Sequence, residues 1–297
     1  MMAAGEPTPG VGRPRQRLAL PDGRRLSYSR YGAESGSPTV LVLDGPGSRG
    51  LAAAASSIAA SMGIALISPD RPGFGETTVP ERGGIPEWPR DCEALIDELG
   101  LERVGIVTQS GGTPYGLAMA AALPDRVGAI ALLGAVAPTD DPGSVAELGS
   151  QLRTGMKLAR RAPWLLRLAL KPMARGARKD PEKIAAKVAA DSPPADTAVL
   201  ENPEMWRVHV DATAEILVRP EAIAREIGLL ARPWGFDLAD VKAPAELWSG
   251  EFDEVHPTSQ SRRIAAELGD APVHVVEGAA NFGLYTVYPD VLRFAAS

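Results

Sequence analysis

The chain has one cysteine, Cys92, and only three histidines in 297 residues. A single thiol excludes an internal disulfide and any thiolate cluster for a structural metal, and that cysteine usage reads as cytoplasmic. Cys92 lies in a helical stretch between Asp91 and Glu93 and reads as a structural, unreactive thiol. An excess of positive charge is also missing. The 31 Lys and Arg face 37 Asp and Glu, a formal net charge of −6, which argues against a nucleic-acid partner. No apolar run is long enough to span a membrane: the most apolar stretch, residues 51–67, is broken by Ser56, Ser57, Ser61 and Gly63 and reads as helix then strand. The first 14 residues lack the apolar run of a secretory signal, and their Gly and Pro content reads as a disordered tail. No metal-ligand spacing and no Walker-type loop occurs, so no metal and no cofactor are expected.

What the chain does have is an alternation of short β-rich runs with Ala/Leu-rich helical runs, the pattern of a mostly parallel sheet. Strands are expected over 17–20, 26–31, 39–43, 64–68, 104–108, 129–133, 245–248 and 273–276. Helices are expected over 51–62, 89–99, 111–123, 259–268 and near 289–296. Residues 138–236 break this rhythm: they are helical in period and punctuated by Pro163, Pro172, Pro181, Pro193, Pro194, Pro203 and Pro220. The expected organisation is a core over 15–137 and 237–297 with a helical cap over 138–236.

The strongest local signal is VGIVTQSGGTPY, starting at Val104. A strand runs into Ser110, and small residues surround the serine before a helix begins. That is what a nucleophile elbow needs, since only small neighbours permit a strained strand-to-helix turn. Thr108 stands where the usual G-x-S-x-G pattern has its first glycine. Further segments follow in order: LDGPGS from Leu43, DRPGFG from Asp70, GEFD ending at Asp253, and GAANF ending at Phe282. PWGF from Pro233 closes the helical stretch.

Together these segments resemble the α/β-hydrolase superfamily over roughly residues 17–296. The resemblance implies an α/β fold with a mostly parallel, eight-strand-type sheet, a nucleophile at Ser110 and an acid at Asp253. At the position that should carry the catalytic histidine stands Asn281, whose amide cannot accept a proton. Aligned without a gap, the preferred register, the family's oxyanion donors fall on the Gly45 and Gly111 N–H groups; in the gapped register the first falls on Pro46, which has no N–H, and in either Asp44 stands beside them as a loop-shaping acceptor or an acid/base. In family geometry Asn281 faces both Ser110 and Asp253.

The three histidines are then weighed as substitutes. His274 lies in a strand and reads as structural. His209 sits in a cap helix and either packs there or hangs into the pocket. His256 follows Asp253 by three residues, on a loop bordering the site, and is either a relocated base or a pocket-lining residue. The substrate is expected to be an apolar or aromatic small molecule, held by some of Leu43, Trp206, His209, Trp234, Phe236 and Phe282. Residues 153–179 carry nine Lys/Arg and no acid among Trp and Leu, which reads as a solvated cap face or as a surface for a membrane or anionic ligand.

Three functions fit these residues. The preferred one is a non-hydrolytic transformation of a natural-product-like molecule, such as cyclisation, epoxide opening or carbon–carbon bond formation. The alternatives are a serine ester or lactone hydrolase using His256 or His209 as relocated base, and a ligand-binding protein without turnover.

Overall fold

Aliphatic and β-branched residues concentrate where strands form, and their alternation decides which face each side chain covers. The computed structural model describes residues 13–34, 38–47, 49–81 and 83–297. Most of the expected N-terminal tail, residues 1–12, lies outside the described residues. The strands are β1 (Gln16–Ala19), β2 (Arg25–Gly32), β3 (Thr39–Leu43), β4 (Ala65–Pro69), β5 (Val104–Gln109), β6 (Val127–Leu133), β7 (Ala245–Gly250) and β8 (Val273–Val276). They form one sheet in the order β1-β2-β4-β3-β5-β6-β7-β8; β2 pairs antiparallel with both β1 and β4, and every other pairing is parallel.

Between β3 and β4 lie α1 (Gly50–Ala54) and α2 (Ser56–Ser61). The continuous helix expected over 51–62 is thus broken at Ala55. Next come α3 (Trp88–Glu98) and α4 (Thr113–Ala122), which lead to β5 and from it. Seven helices are inserted between β6 and β7: α5 (Pro142–Glu147), α6 (Ser150–Arg161), α7 (Pro163–Lys179), α8 (Pro181–Ala190), α9 (Pro194–Leu200), α10 (Pro203–Leu217) and α11 (Pro220–Leu230). The chain closes with α12 (Thr258–Glu267) and α13 (Tyr288–Ala295).

The prolines that punctuate the insertion have a physical role. All its helices except α6 begin with proline, where the ring presets the helical φ and no intrahelical N–H is lost. Asp141, Asp180 and Asn202 cap α5, α8 and α10 by accepting first-turn N–H groups.

Two apolar layers sandwich the sheet. Leu41, Leu43, Ile106, Ile130, Leu132 and Leu247 face Trp88, Cys92, Leu95, Tyr115, Met119 and Ile264. Val40, Val42, Val107, Ala131, Leu133 and Trp248 face Leu51, Ala59, Val291 and Leu292. Successive residues of β3 alternate between the layers, as a period of two requires. Each fully buried Leu or Val contributes roughly 1.5–3 kcal/mol, and these layers fix the strand ends that carry the site.

The insertion is joined to the sheet by buried charge. Arg71, in the turn after β4, donates to Glu226 of α11 at 2.5 and 3.1 Å, and both side chains are buried. The Arg71 guanidinium also lies 4.8 Å from the centre of the Tyr115 ring, where the negative face of the ring helps to offset its desolvation. Glu215 of α10 accepts from Arg15 and Arg49, while Arg15 also pairs with Asp70. Removing one partner of a buried pair strands the other charge. Glu226→Ala is therefore expected to lower unfolding stability by about 3–5 kcal/mol in urea titrations. The double replacement Arg71→Met with Glu226→Leu should recover most of that loss.

Candidate active site

Ser110 stands at the carboxyl end of β5, where the chain turns through a 3₁₀ segment, Ser110–Gly112, into α4. Its φ is +49°, a left-handed conformation that costs a non-glycine residue on the order of 1–3 kcal/mol. The turn survives because its neighbours are bare. A Cβ on Gly112 would lie 1.8 Å from the Leu43 carbonyl oxygen, so no side chain fits there. The expected elbow is present, and the buried Thr108 fits because the residue facing it is glycine: a Cβ on Gly116 would lie 2.3 Å from the Thr108 methyl.

The base is His256. The Ser110 hydroxyl and His256 Nε2 are 2.8 Å apart, and His256 Nδ1 lies 3.3 Å from Asp253 Oδ2. With the proton on Nδ1, shared with the carboxylate, Nε2 accepts from the serine hydroxyl; this tautomer follows from the hydrogen-bond network. The other Asp253 oxygen accepts the backbone N–H groups of Val255 and His256, at 2.9 and 2.8 Å. The carboxylate thus folds its own loop into a turn and presents the imidazole three residues on. Pro257 follows, and the residue before a proline is biased to extended backbone, which helps to set the direction in which His256 leaves the loop.

Asn281 is close but differently engaged. Its side-chain oxygen accepts from Gln109 Nε2 at 2.9 Å, so it does not bridge Ser110 and Asp253 as family geometry had suggested. Gln109, immediately before the nucleophile, was missed at the sequence level because that slot in the elbow motif is read as variable. His209, the other proposed substitute base, lies in the cavity wall with Nε2 3.1 Å from the Ala185 carbonyl oxygen. Burial lowers its pKa, so it stands as a neutral wall residue. His274 pairs with Glu246 and stacks on Trp248, away from Ser110.

At the rim of the serine, a Cβ on Gly45 would lie 2.5 Å from the Gly111 nitrogen. The two expected oxyanion donors are therefore neighbours, in the ungapped register of the LDGPGS segment. Asp44 shapes this loop: one oxygen accepts the Gly45 N–H at 2.8 Å and the other accepts the Leu51 N–H at 3.1 Å, at the start of α1. Both carboxylate oxygens accept from the backbone, the geometry of a loop-shaping acceptor.

Above these groups lies a cavity of about 260 Å³, lined by Ser110, Asn281 and Phe282 from the core and by Val188, Leu200, Met205 and Val208 from the insertion. His209 and Phe282 meet the expectation for wall residues. Four others do not. Leu43 is the last residue of β3, and alternation turns it into the core layer beneath the sheet. Trp206 packs behind His209, ring centres 5.7 Å apart, instead of on the wall. Trp234 and Phe236 stack on each other beside a separate cleft near Asp140 and Arg263. Their segment leaves the insertion on the α4 side of the sheet, away from the serine.

Asp196 of α9 was not foreseen, since a lone aspartate in a helical insertion carries no motif. It is buried, and it accepts the backbone N–H groups of Phe282 and Gly283, at 2.6 and 3.2 Å. It thereby ties the insertion to the segment that carries Asn281. Burial outweighs these bonds and raises its pKa to about 6. The folded state therefore holds this proton more tightly than the unfolded chain, and stability falls as pH rises from about 4 through 6. Urea midpoints should show that decline in the native protein and a flatter profile in Asp196→Asn, which keeps one acceptor and cannot ionise.

A family model described as alpha/beta hydrolase fold matches residues 45–285. An uncharacterized hydrolase of Bacillus subtilis, YcgS, is 32% identical over 115 residues, or 39% of this chain and 39% of that protein. The chain thus aligns with about two fifths of that relative's length. An alpha/beta hydrolase fold protein from Nakamurella multipartita superposes with a TM-score of 0.72 at 22% identity, covering 95% of this chain and 99% of its own. The enol-lactonase from Burkholderia xenovorans LB400 superposes with a TM-score of 0.66 at 20% identity, covering 95% and 100%. The sheet order, the strained serine turn and a family match over most of its length agree: the chain belongs to the alpha/beta hydrolase fold family.

Proposed function

We propose that the protein is a serine hydrolase of carboxylic esters or lactones in which His256 replaces the histidine absent from position 281. The supporting observation is the 2.8 Å contact between the Ser110 hydroxyl and His256 Nε2, with Asp253 behind the ring. The non-hydrolytic reading rested on the lack of a base, and an imidazole at hydrogen-bond distance removes that motive. The hydrolase name carried by the B. subtilis relative points the same way.

The chemistry follows from the positions. Ser110 Oγ attacks the ester carbonyl carbon as its proton passes to His256 Nε2, and the carbonyl oxygen becomes an oxyanion beside the Gly111 and Gly45 N–H groups. Asp253 stabilises the imidazolium. The tetrahedral intermediate then expels the alkoxide, which takes the proton from His256 and leaves an acyl group on Ser110. Water, deprotonated by the same imidazole, releases the acid. The Gly45 N–H is already engaged by Asp44, so it turns toward the oxyanion only by sharing its proton. The Gly111 N–H is accordingly the principal donor. Apolar walls from Val188, Leu200, Met205, Val208 and Phe282 suit an apolar or aromatic acyl or alkyl group.

A fluorophosphonate probe is expected to label Ser110 rapidly, and His256→Gln should abolish that labelling while leaving the fold intact by circular dichroism. Ser110→Ala and His256→Gln should each lower ester kcat on the order of 10⁴-fold. Rapid labelling that persists in His256→Gln would mean another base and would defeat the assignment. Asn281→Ala, which loses only the Gln109 bond, should cost less than roughly 10-fold, as expected for a group that orients without moving a proton.

A further inference from the structure

Large apolar side chains are unevenly exposed. Of the exposed ones among the described residues, Trp164, Leu165, Leu168 and Met173 lie on α7, and Phe252 and Val255 lie on the loop that carries Asp253. Trp164 is 66% exposed and Leu168 52%, too open to be loosely covered core. The same stretch, residues 153–179, holds nine of the 31 Lys and Arg and none of the 37 Asp and Glu. No ion pair among the described residues engages any of the nine.

Helical spacing of 100° per residue puts Trp164, Leu168, Lys171 and Arg175 within about 60° of one another on the outer face of α7. On one flank, Arg167 and Arg178 border a cleft of about 910 Å³ whose wall also carries Arg219, Arg225 and Arg232. On the other, Pro172 and Met173 border a groove of about 660 Å³ that runs past Val255 to Val188, Asn281 and Phe282. Those last three residues also line the cavity above Ser110. The groove beside α7 and the cavity above Ser110 therefore share a wall of Val188, Asn281 and Phe282.

We propose that this face of α7 docks on an anionic lipid surface, and that the groove from Met173 to Asn281 delivers an apolar ester from that surface to Ser110. The delivery half deepens the hydrolase reading and rests on it; the docking half does not. Charge complementarity selects the occupant. A second copy packed on the same face would set Lys171, Arg175 and the flanking Arg167 and Arg178 against the same cations of its partner. A nucleic-acid backbone would match the charge but leave the Trp164, Leu165 and Leu168 surface nothing to bury against. A bilayer interface satisfies both at once, since Trp and Leu enter the headgroup region while Lys and Arg meet anionic headgroups.

The test is co-sedimentation of the full-length protein with vesicles of phosphatidylcholine alone or with phosphatidylglycerol added, at about 0.1 M ionic strength. Binding is expected only with phosphatidylglycerol, together with a blue shift in tryptophan fluorescence that Trp164→Ala removes. Lys171→Ala with Arg175→Ala, and separately Trp164→Ala with Leu168→Ala, should each weaken partitioning on the order of 10-fold or more. Hydrolysis of a short water-soluble ester should be unchanged in these variants. A long-chain ester should turn over faster in phosphatidylglycerol vesicles than in phosphatidylcholine alone, an advantage both double variants lose. Absent or charge-independent vesicle binding with intact hydrolysis of the soluble ester would overturn docking, as would a dimer dissolved by Trp164→Ala. If no ester is cleaved, the hydrolase reading fails and the binding result still decides the docking face.

Discussion

The hydrogen bonds from Asp253 to its own loop bear the weight of this site. One carboxylate oxygen accepts two backbone N–H groups, from Val255 and His256, and the other faces the His256 ring. The proposed acid and base thus belong to one turn of chain. In an arrangement with the base on a separate loop, two segments must be held in register by packing. Here a three-residue separation does it locally, and what tertiary packing must supply is the placement of one loop against Ser110. That placement comes from β7, which ends at Gly250 one strand in from the β8 edge of the sheet, beside β6 and two strands from the serine-bearing β5.

The rest of the machinery arranges itself around the space this turn needs. Gly134, at the end of β6, has φ +48°, and a Cβ there would lie 3.3 Å from both Asn281 Oδ1 and Asp253 Oδ2 and 3.7 Å from His256 Nδ1. Glycine keeps the backbone close enough for all three groups to converge. On the opposite side, Glu226, which pairs with Arg71, lies so near the elbow that a Cβ on Gly111 would come within 3.4 Å of its carboxylate. The same ion pair that joins the insertion to the core therefore backs the turn at Gly111, the proposed oxyanion donor. A shift of α11 would be felt at Ser110 directly, so the geometry of the covering helices and of the catalytic turn is shared.

Much of this was legible in the sequence, and what was not has physical reasons. The strands and the elbow at Ser110 are local signals, set by period-two alternation and by the size of the neighbours, and they held to within a residue or two. His256 was visible as a candidate because it lies three residues from Asp253, although no local rule decides whether such a side chain reaches a serine 146 positions away in the chain. Asn281 was read as no base from its chemistry alone, and its bond to Gln109 depends on how two distant segments meet. The wall residues fared worst. Trp206, Trp234 and Phe236 are large and apolar near the expected site, but helix rotation and the exit path of the insertion turn them elsewhere. Asp196 and Glu226 were invisible for the opposite reason: a buried charge with a distant partner leaves no trace in periodicity.

The asparagine at 281 then has an account that does not require loss of function. Position 281 lies against the same Gly134 gap as the Asp253 carboxylate and the His256 ring. An imidazole there would compete with His256 for one carboxylate oxygen, since the other is committed to the backbone of its own loop. Two neutral imidazoles around one acceptor leave one ring without a partner for its N–H, and a second protonated ring would repel the first. A neutral amide avoids both costs. It accepts from Gln109, adds no charge, and leaves the carboxylate to the histidine that faces the serine. Once the base arrives on the acid's own loop, a residue that hydrogen-bonds without titrating is what position 281 can accommodate.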